Sequence, residues 1–227
     1  MREVEIKFIK SCGENNPEKV QSYLNLAEDL EIDINAVDDY GDTAAHNAAG
    51  SGHTEIIRIL AATDLVDWNK GGRDGWTPLH LALFCGLSDV VGIILKQDNI
   101  NLGLKTQAGR TVAIAAVHGG SVHCVEILAE QENCNSWNIP DDNDGVTPLM
   151  EAIRLKKIDI LKVLLNCPRV DPNLKEERSG SRPGQLQADV NWRRVREDDY
   201  LKSGLHYAAC EDHDIQTKSD LAKKYQI

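Results

Sequence analysis

Asp74-Gly75-Trp76-Thr77-Pro78-Leu79-His80-Leu81-Ala82-Leu83 is the stretch that decides the fold, because the chain writes it repeatedly. Tyr40-Gly41-Asp42-Thr43-Ala44-Ala45-His46-Asn47-Ala48-Ala49 comes before it. Ala108-Gly109-Arg110-Thr111-Val112-Ala113-Ile114-Ala115-Ala116 and Asp144-Gly145-Val146-Thr147-Pro148-Leu149-Met150-Glu151-Ala152 come after it. The glycines at 41, 75, 109 and 145 lie 34, 34 and 36 residues apart. A fixed period in this range means stacked supersecondary units, not one wrapped core.

Each copy has the same grammar. A turn ends in Gly, and the Thr two residues later can cap a helix with its hydroxyl. Pro78 and Pro148 follow that Thr at the first helical position, where a missing N–H costs nothing. A short apolar helix runs to a small break, such as Gly50-Ser51-Gly52, Cys85-Gly86 or Gly119-Gly120. A second helix carries apolar residues at helical spacing: Ile56, Ile57 and Leu60; Val90, Val91, Ile94 and Leu95; Ile160, Leu161, Leu164 and Leu165. The unit closes on an apolar residue and usually Asn, as in Ile34-Asn35, Trp68-Asn69 and Trp137-Asn138, with Leu102-Gly103 as the variant.

Thr77 to Ala82 match the Thr-Pro-Leu-His-x-Ala signature of the ankyrin repeat in every position. Thr147 to Ala152 match with Met150 in the His place, Thr43 to Ala48 with Ala for Pro and Leu, and Thr111 to Ala116 with Ile114 for His. Ser203-Gly204-Leu205-His206-Tyr207-Ala208 is a fifth, degenerate copy. The chain therefore resembles the ankyrin-repeat family over roughly residues 1–173 and 199–215. The resemblance implies an all-α solenoid of about six stacked helix-turn-helix units with β-hairpin-like connecting loops. It also implies that His46, His80 and His206 are structural hydrogen-bonding residues between the first helix and the neighbouring turn.

The expected organisation is one domain over 1–227. Residues 1–34 read as an N-terminal capping repeat and 35–173 as core repeats. Residues 174–199 read as a loop insertion, and 200–227 as a degenerate C-terminal capping repeat. In the first unit Val4, Ile6, Phe8 and Ile9 suggest one helix. Asn16-Pro17 opens a second over Glu18 to Leu30. A polar end suits a solenoid, since one face of its last unit meets water. The insertion is polar and turn-rich, as in Glu176-Glu177-Arg178-Ser179-Gly180-Ser181-Arg182-Pro183-Gly184.

The formal charge is −11, which argues against a general nucleic-acid binder, since that needs a basic footprint. Trp192-Arg193-Arg194-Val195-Arg196 is a local basic run beside Glu197, Asp198 and Asp199. The 6 cysteines show no Cys-x-x-Cys spacing and read as reduced core residues of a cytoplasmic or nuclear protein. No secretory leader is legible at the start, and no stretch approaches the ~20 apolar residues of a membrane span. A monomer is expected.

Chemical motifs are discounted one by one. His118, His123, Cys124 and Cys134 invite a zinc reading, but on the repeat their directions diverge, so no metal is expected. Asp141-Asp142-Asn143-Asp144-Gly145 resembles a calcium loop, yet Ala152 stands where its closing acid should be. It reads as a hairpin tip. Trp68 and Trp137 alternate with Ile34 and Leu102 and read as buried wedges. No phosphate loop or nucleophile elbow is present. The expectation is a chain that is not an enzyme and uses no cofactor. An enzyme with its site in the insertion is the disfavoured alternative.

Binding is expected on the concave face that the family builds from hairpin tips and first helices. The partner-binding candidates are Tyr40, Asp42, Arg73, Asp74, Trp76, Phe84, Arg110, His118, Asn143 and Arg154. Trp76 and Phe84 are large aromatics where folding demands none, and with Tyr40, Arg73 and Arg110 they supply hot-spot residue types. The acidic residues around them suggest a protein partner of basic character. The alternative is that the chain is the recognition domain of a larger protein such as a ubiquitin-ligase adaptor, kinase or channel.

Overall fold

A computed structural model describes residues 3–143 and 145–171. The described part is built from helix pairs: α1 (Glu3–Gly13) with α2 (Pro17–Asn25), α3 (Ala44–Ser51) with α4 (Thr54–Ala61), α5 (Pro78–Phe84) with α6 (Ser88–Ile94), α7 (Val112–Gly119) with α8 (Val122–Glu130), and α9 (Pro148–Arg154) with α10 (Ile158–Asn166). The first helices α1, α3, α5, α7 and α9 pack one on the next, and the second helices α2, α4, α6, α8 and α10 do the same. The result is a two-layered stack in which each unit touches its neighbours in sequence. No strand is present among the described residues; the antiparallel bridges Val37–Thr43 and Lys105–Thr111 give two connecting loops their hairpin character.

The repeated Thr performs the expected work. Thr43, Thr77, Thr111 and Thr147 each accept through Oγ1 the N–H of the third helical residue, which satisfies one orphan donor of a helix start. The helices between these caps are too short to persist alone in water. Packing holds them. Ala48, Ala49, Ala82, Ala115, Ala116 and Ala152 are buried and small, so first helices approach closely. Ile56, Ile57, Leu60, Ile94, Leu128 and Leu164 fill the second layer and are fully buried, each worth about 1.5–3 kcal/mol of transfer free energy. Ile34, Trp68, Leu102 and Trp137 are buried wedges at the unit ends, as their alternation implies.

Polar bonds tie the units in series. Asn35 Nδ2 donates to the Leu65 carbonyl at 2.8 Å while its Oδ1 accepts the Asp67 N–H at 2.8 Å. Asn69 repeats this with Asn99 and Asn101, and Asn138 with Arg169 and Asp171. Gly103, in the same register, has no side-chain amide to offer. The last joint carries other groups as well. Lys105 Nζ pairs with Asp142 at 2.9 Å, Lys157 Nζ donates to the His118 carbonyl, and the Arg169 guanidinium bonds the Ala129, Gln131 and Cys134 carbonyls.

Several expectations change. The helix opened by Asn16-Pro17 ends at Asn25 rather than Leu30. Residues 26–31 form turns, closed by the Ile32 N–H on the Ala27 carbonyl, with Glu31 at φ 47°. Among the mostly polar exposed positions of the first unit, Ile6, Leu26 and Leu30 are apolar exceptions. Cys12, Cys124, Cys134 and Cys167 are buried free thiols, but Cys85 is exposed because it caps the end of α5 outside the packed stripe. The insertion at 174–199, the C-terminal repeat, His206 and the Arg193–Arg194 run lie outside the described residues.

Candidate functional site

The recurring His residues organise the turns on which the candidate residues sit. The Thr43 N–H donates to His46 Nδ1 at 3.1 Å, so Nδ1 is the acceptor of the neutral ring. Nε2 therefore carries the proton and donates it to the Trp76 carbonyl at 2.9 Å, across to the next unit. Burial lowers the His46 pKa, opposed by the Trp76 carbonyl. His80 keeps the same pairing to Thr77. Its Nε2 makes no hydrogen bond of ordinary geometry, although the backbone of Arg110 and Leu104 partly offsets the burial that pushes its pKa down to about 4. The structural role expected for these histidines is thus observed in full at His46, which reaches the next unit, and in its Thr77 half at His80.

The tips close by local bonds. Asp38 Oδ1 accepts the Tyr40 and Asp42 N–H groups, and Asp38 Oδ2 accepts from Asn47. Gly72 takes the place of Asp38 at the second tip. A Cβ there would collide with the Asp42 carboxylate and the His46 ring, so the absence of a side chain lets the first tip lock onto the second. Asp42 Oδ1 uses that space to accept the Arg73 N–H at 2.8 Å. At the next joint the Asp74 carbonyl accepts the Gln107 N–H at 2.7 Å.

Along the tips and first-helix ends, the structure brings most of the candidates into contact. The Arg73 guanidinium lies 4.4 Å over the Tyr40 ring, and Tyr40 is 68% exposed. Trp76 is half-buried and meets Phe84 edge-on, with ring centroids 5.2 Å apart. Its other edge contact is His80 at 6.1 Å. Phe84, 42% exposed, stacks at a tilt on His118 at 5.9 Å. His118 Nε2 pairs with Glu151 Oε1 at 2.8 Å, and Arg154 grips the same carboxylate through Nε and Nη2, each at 2.7 Å. Trp76, Phe84, His118 and Arg154 thus form one continuous strip across three units. Arg110 follows Gly109 as Trp76 follows Gly75, one unit along. Asn143 is exposed at the fourth tip and joins no contact of the strip.

Glu151 is the member that reading the candidates in isolation misses. It is 2% exposed, and although burial pushes its pKa up, the hydrogen bonds from His118 and Arg154 outweigh that and hold it down to about 2. The signal was a charged residue in the Asn47, Leu81 and Ala115 register with Arg154 three positions on. Elsewhere in this unit, Cys134 Sγ meets Ser136 Oγ at 3.2 Å, Cys124 is buried, and His123 is on the surface beside Glu126. Among the described residues no helix is long and apolar enough to cross a membrane.

The comparisons agree with this architecture. A family model described as ankyrin repeats (3 copies) matches residues 8–105 and 96–176. The chain is 31% identical over 84 residues to the human (Homo sapiens) Notch-regulated ankyrin repeat-containing protein, covering 37% of this chain and 73% of that protein. It is 32% identical over 103 residues to the NF-kappa-B inhibitor cactus of Drosophila yakuba, 45% of this chain and 21% of that one. It is 28% identical over 144 residues to alpha-latrotoxin-Lg1a of Latrodectus geometricus, 62% of this chain and 10% of that one. With matching signatures, paired helices and family models spanning most of its length, the chain belongs to the ankyrin-repeat family.

Proposed function

We propose that this chain is a non-catalytic protein-interaction module that binds a partner protein on the concave face formed by its tips and first helices. The observation that carries the reading is the Trp76–Phe84–His118 contact chain. It holds large rings half in and half out of the surface, where they can bury fresh area without ordering anything new. Aromatic anchors of this kind dominate binding energy. The relative named as an inhibitor of NF-kappa-B acts, by its name, on another protein, which is consistent with this class of function. A cytoplasmic or nuclear monomer fits the free thiols at Cys12, Cys85, Cys124, Cys134 and Cys167. The domain division at 1–34, 35–173, 174–199 and 200–227 belongs to the same proposal.

Several of the acidic residues behind the expected basic partner have partners within the fold. Asp38 and Asp42 are engaged by tip N–H groups, Asp142 by Lys105, and Glu151 by His118 and Arg154. A pull-down with the wild-type chain beside a Trp76→Ala, Phe84→Ala double variant tests the reading. Specific partners should be lost from the variant while its helical content is kept. An unchanged set of partners on the folded variant would refute concave-face binding.

A further inference from the structure

The cations of the strip divide into two groups. Lys105 has Asp142, Arg154 has Glu151, and Lys157 is spent on the His118 carbonyl. Arg73 and Arg110 are different: neither guanidinium takes part in an ion pair among the described residues. Arg73 lies over the exposed Tyr40 ring at 4.4 Å, and its guanidinium makes no ion pair or side-chain hydrogen bond among the described residues. Arg110 is half-buried and its Nε is shielded from water with no hydrogen-bond partner among the described residues. A buried donor without an acceptor is uncommon and calls for an explanation. In the backbone, these two residues lie on the tips on either side of Trp76. Arg73 precedes it by one turn, and the Arg110 backbone faces His80, whose ring touches Trp76 at 6.1 Å.

Planar guanidinium forks match carboxylates in two-point geometry, and a ring-stacked fork is already oriented for it. We infer that the partner on this face contributes a segment with carboxylates spaced around an apolar or aromatic side chain. The carboxylates pair with Arg73 and Arg110, and the apolar group sits on Trp76 and Phe84. This inference rests on the concave-face reading and adds the chemistry of the segment to it. Asp39 and Asp74 are exposed at the same tips, so a segment acidic along its whole length would be repelled. One or two carboxylates placed at the arginines are the complement.

The test uses the full chain, immobilised, and two pools of short degenerate peptides. Both pools carry the same Leu, Phe and Ala positions; one sets Glu and Asp between them, the other Lys and Arg. The acidic pool should be retained at least about tenfold better, a difference of 1.4 kcal/mol, and its retention should fall as salt rises. A variant carrying Arg73→Gln and Arg110→Gln should lose that retention, with its helical circular dichroism and melting temperature confirming that it is folded. Equal or better retention of the basic pool, weak retention of both, or indifference to the double Gln variant would each overturn the inference. Trp76→Ala with Phe84→Ala separates the two claims. If the basic pool is retained and lost in that aromatic variant, concave binding stands and the carboxylate inference falls. If retention ignores the aromatic variant, concave binding itself falls.

Discussion

Asn69 holds Asn101 across the joint between two repeats: its Oδ1 accepts the Asn101 N–H at 2.8 Å while its Nδ2 donates to the Asn99 carbonyl at 2.7 Å. One side chain thus satisfies a donor and an acceptor of the next unit, and Asn35 and Asn138 do the same at theirs. Asn69→Ala should cost about 1–2 kcal/mol, two hydrogen bonds of ordinary net worth. The reverse change is available at Gly103, whose φ is not in the left-handed region and whose Cβ position is crowded only by the Asn101 side chain at 3.2 Å. Gly103→Asn should stabilise by about 1 kcal/mol, through new bonds and a less flexible unfolded chain. Urea unfolding of both variants checks this, and a destabilised Gly103→Asn would refute the missing-rung account.

His80 should make stability pH-dependent. Its folded pKa is depressed from 6.5 to about 4, so the unfolded chain binds the proton first. Its contribution is complete above pH 6.5 and is lost as pH falls toward 4, by up to about 3 kcal/mol. Glu151 acts in a lower window, from 4.5 down to about 2. His80→Met, which copies the residue at Met150, should reduce the slope of the thermal-melting profile between pH 4 and 6.5, leaving the share of His46, whose pKa burial also lowers, and the more acidic limb in place. An unchanged slope in the upper window would show that His80 is not its source.

Trp76 and Phe84 should be coupled. Half-burial and a 5.2 Å edge contact make Trp76 more than a free surface ring, so Trp76→Ala should cost about 1 kcal/mol of stability rather than nothing. A double-mutant cycle should return about 0.5–1.5 kcal/mol for the pair. Loss of partner affinity should exceed this, at about 2 kcal/mol or more. Destabilisation of several kcal/mol, measured by urea unfolding, would mark Trp76 as a structural wedge.

Damage should stay local. Leu164→Ala and Ile94→Ala remove fully buried groups and should each cost about 2–5 kcal/mol. Leu95, half-buried at the end of α6, should cost less. Hydrogen exchange on Leu164→Ala should show α9 and α10 losing protection while α3 to α6 keep theirs, because a repeat stack can open from one end. Uniform loss along every helix would contradict this.

A fifth expectation concerns Lys156, which has φ 55° where Gly52, Gly86 and Gly120 occupy the same register. A side chain in that conformation costs about 1–2 kcal/mol. Lys156→Gly should raise the urea midpoint, and a lower midpoint would mean that the lysine contributes contacts that outweigh the strain.

The repeating sentence from Gly41 to Gly145 was enough, read alone, to determine the stack. Thr caps, Pro at the first helical position and apolar spacing act within a few residues, and local chemistry is visible in local sequence. The wedges Ile34, Trp68, Leu102 and Trp137 and the role of His46 were legible for the same reason, since repetition multiplies a weak signal. The site was legible only as a set of candidates. That His118 meets Glu151, that Asp42 reaches into the space left by Gly72, and that Asn35, Asn69 and Asn138 bridge the joints all depend on residues about thirty positions apart in sequence. Those pairs become neighbours only when one unit lies on the next. Which charges are spent was decided there too: Asp42 and Arg73 look like an ion pair on paper, but the backbone N–H takes the carboxylate and Tyr40 takes the guanidinium. Side-chain chemistry is written in the sequence, but its pairing is set by the stacking geometry of the fold.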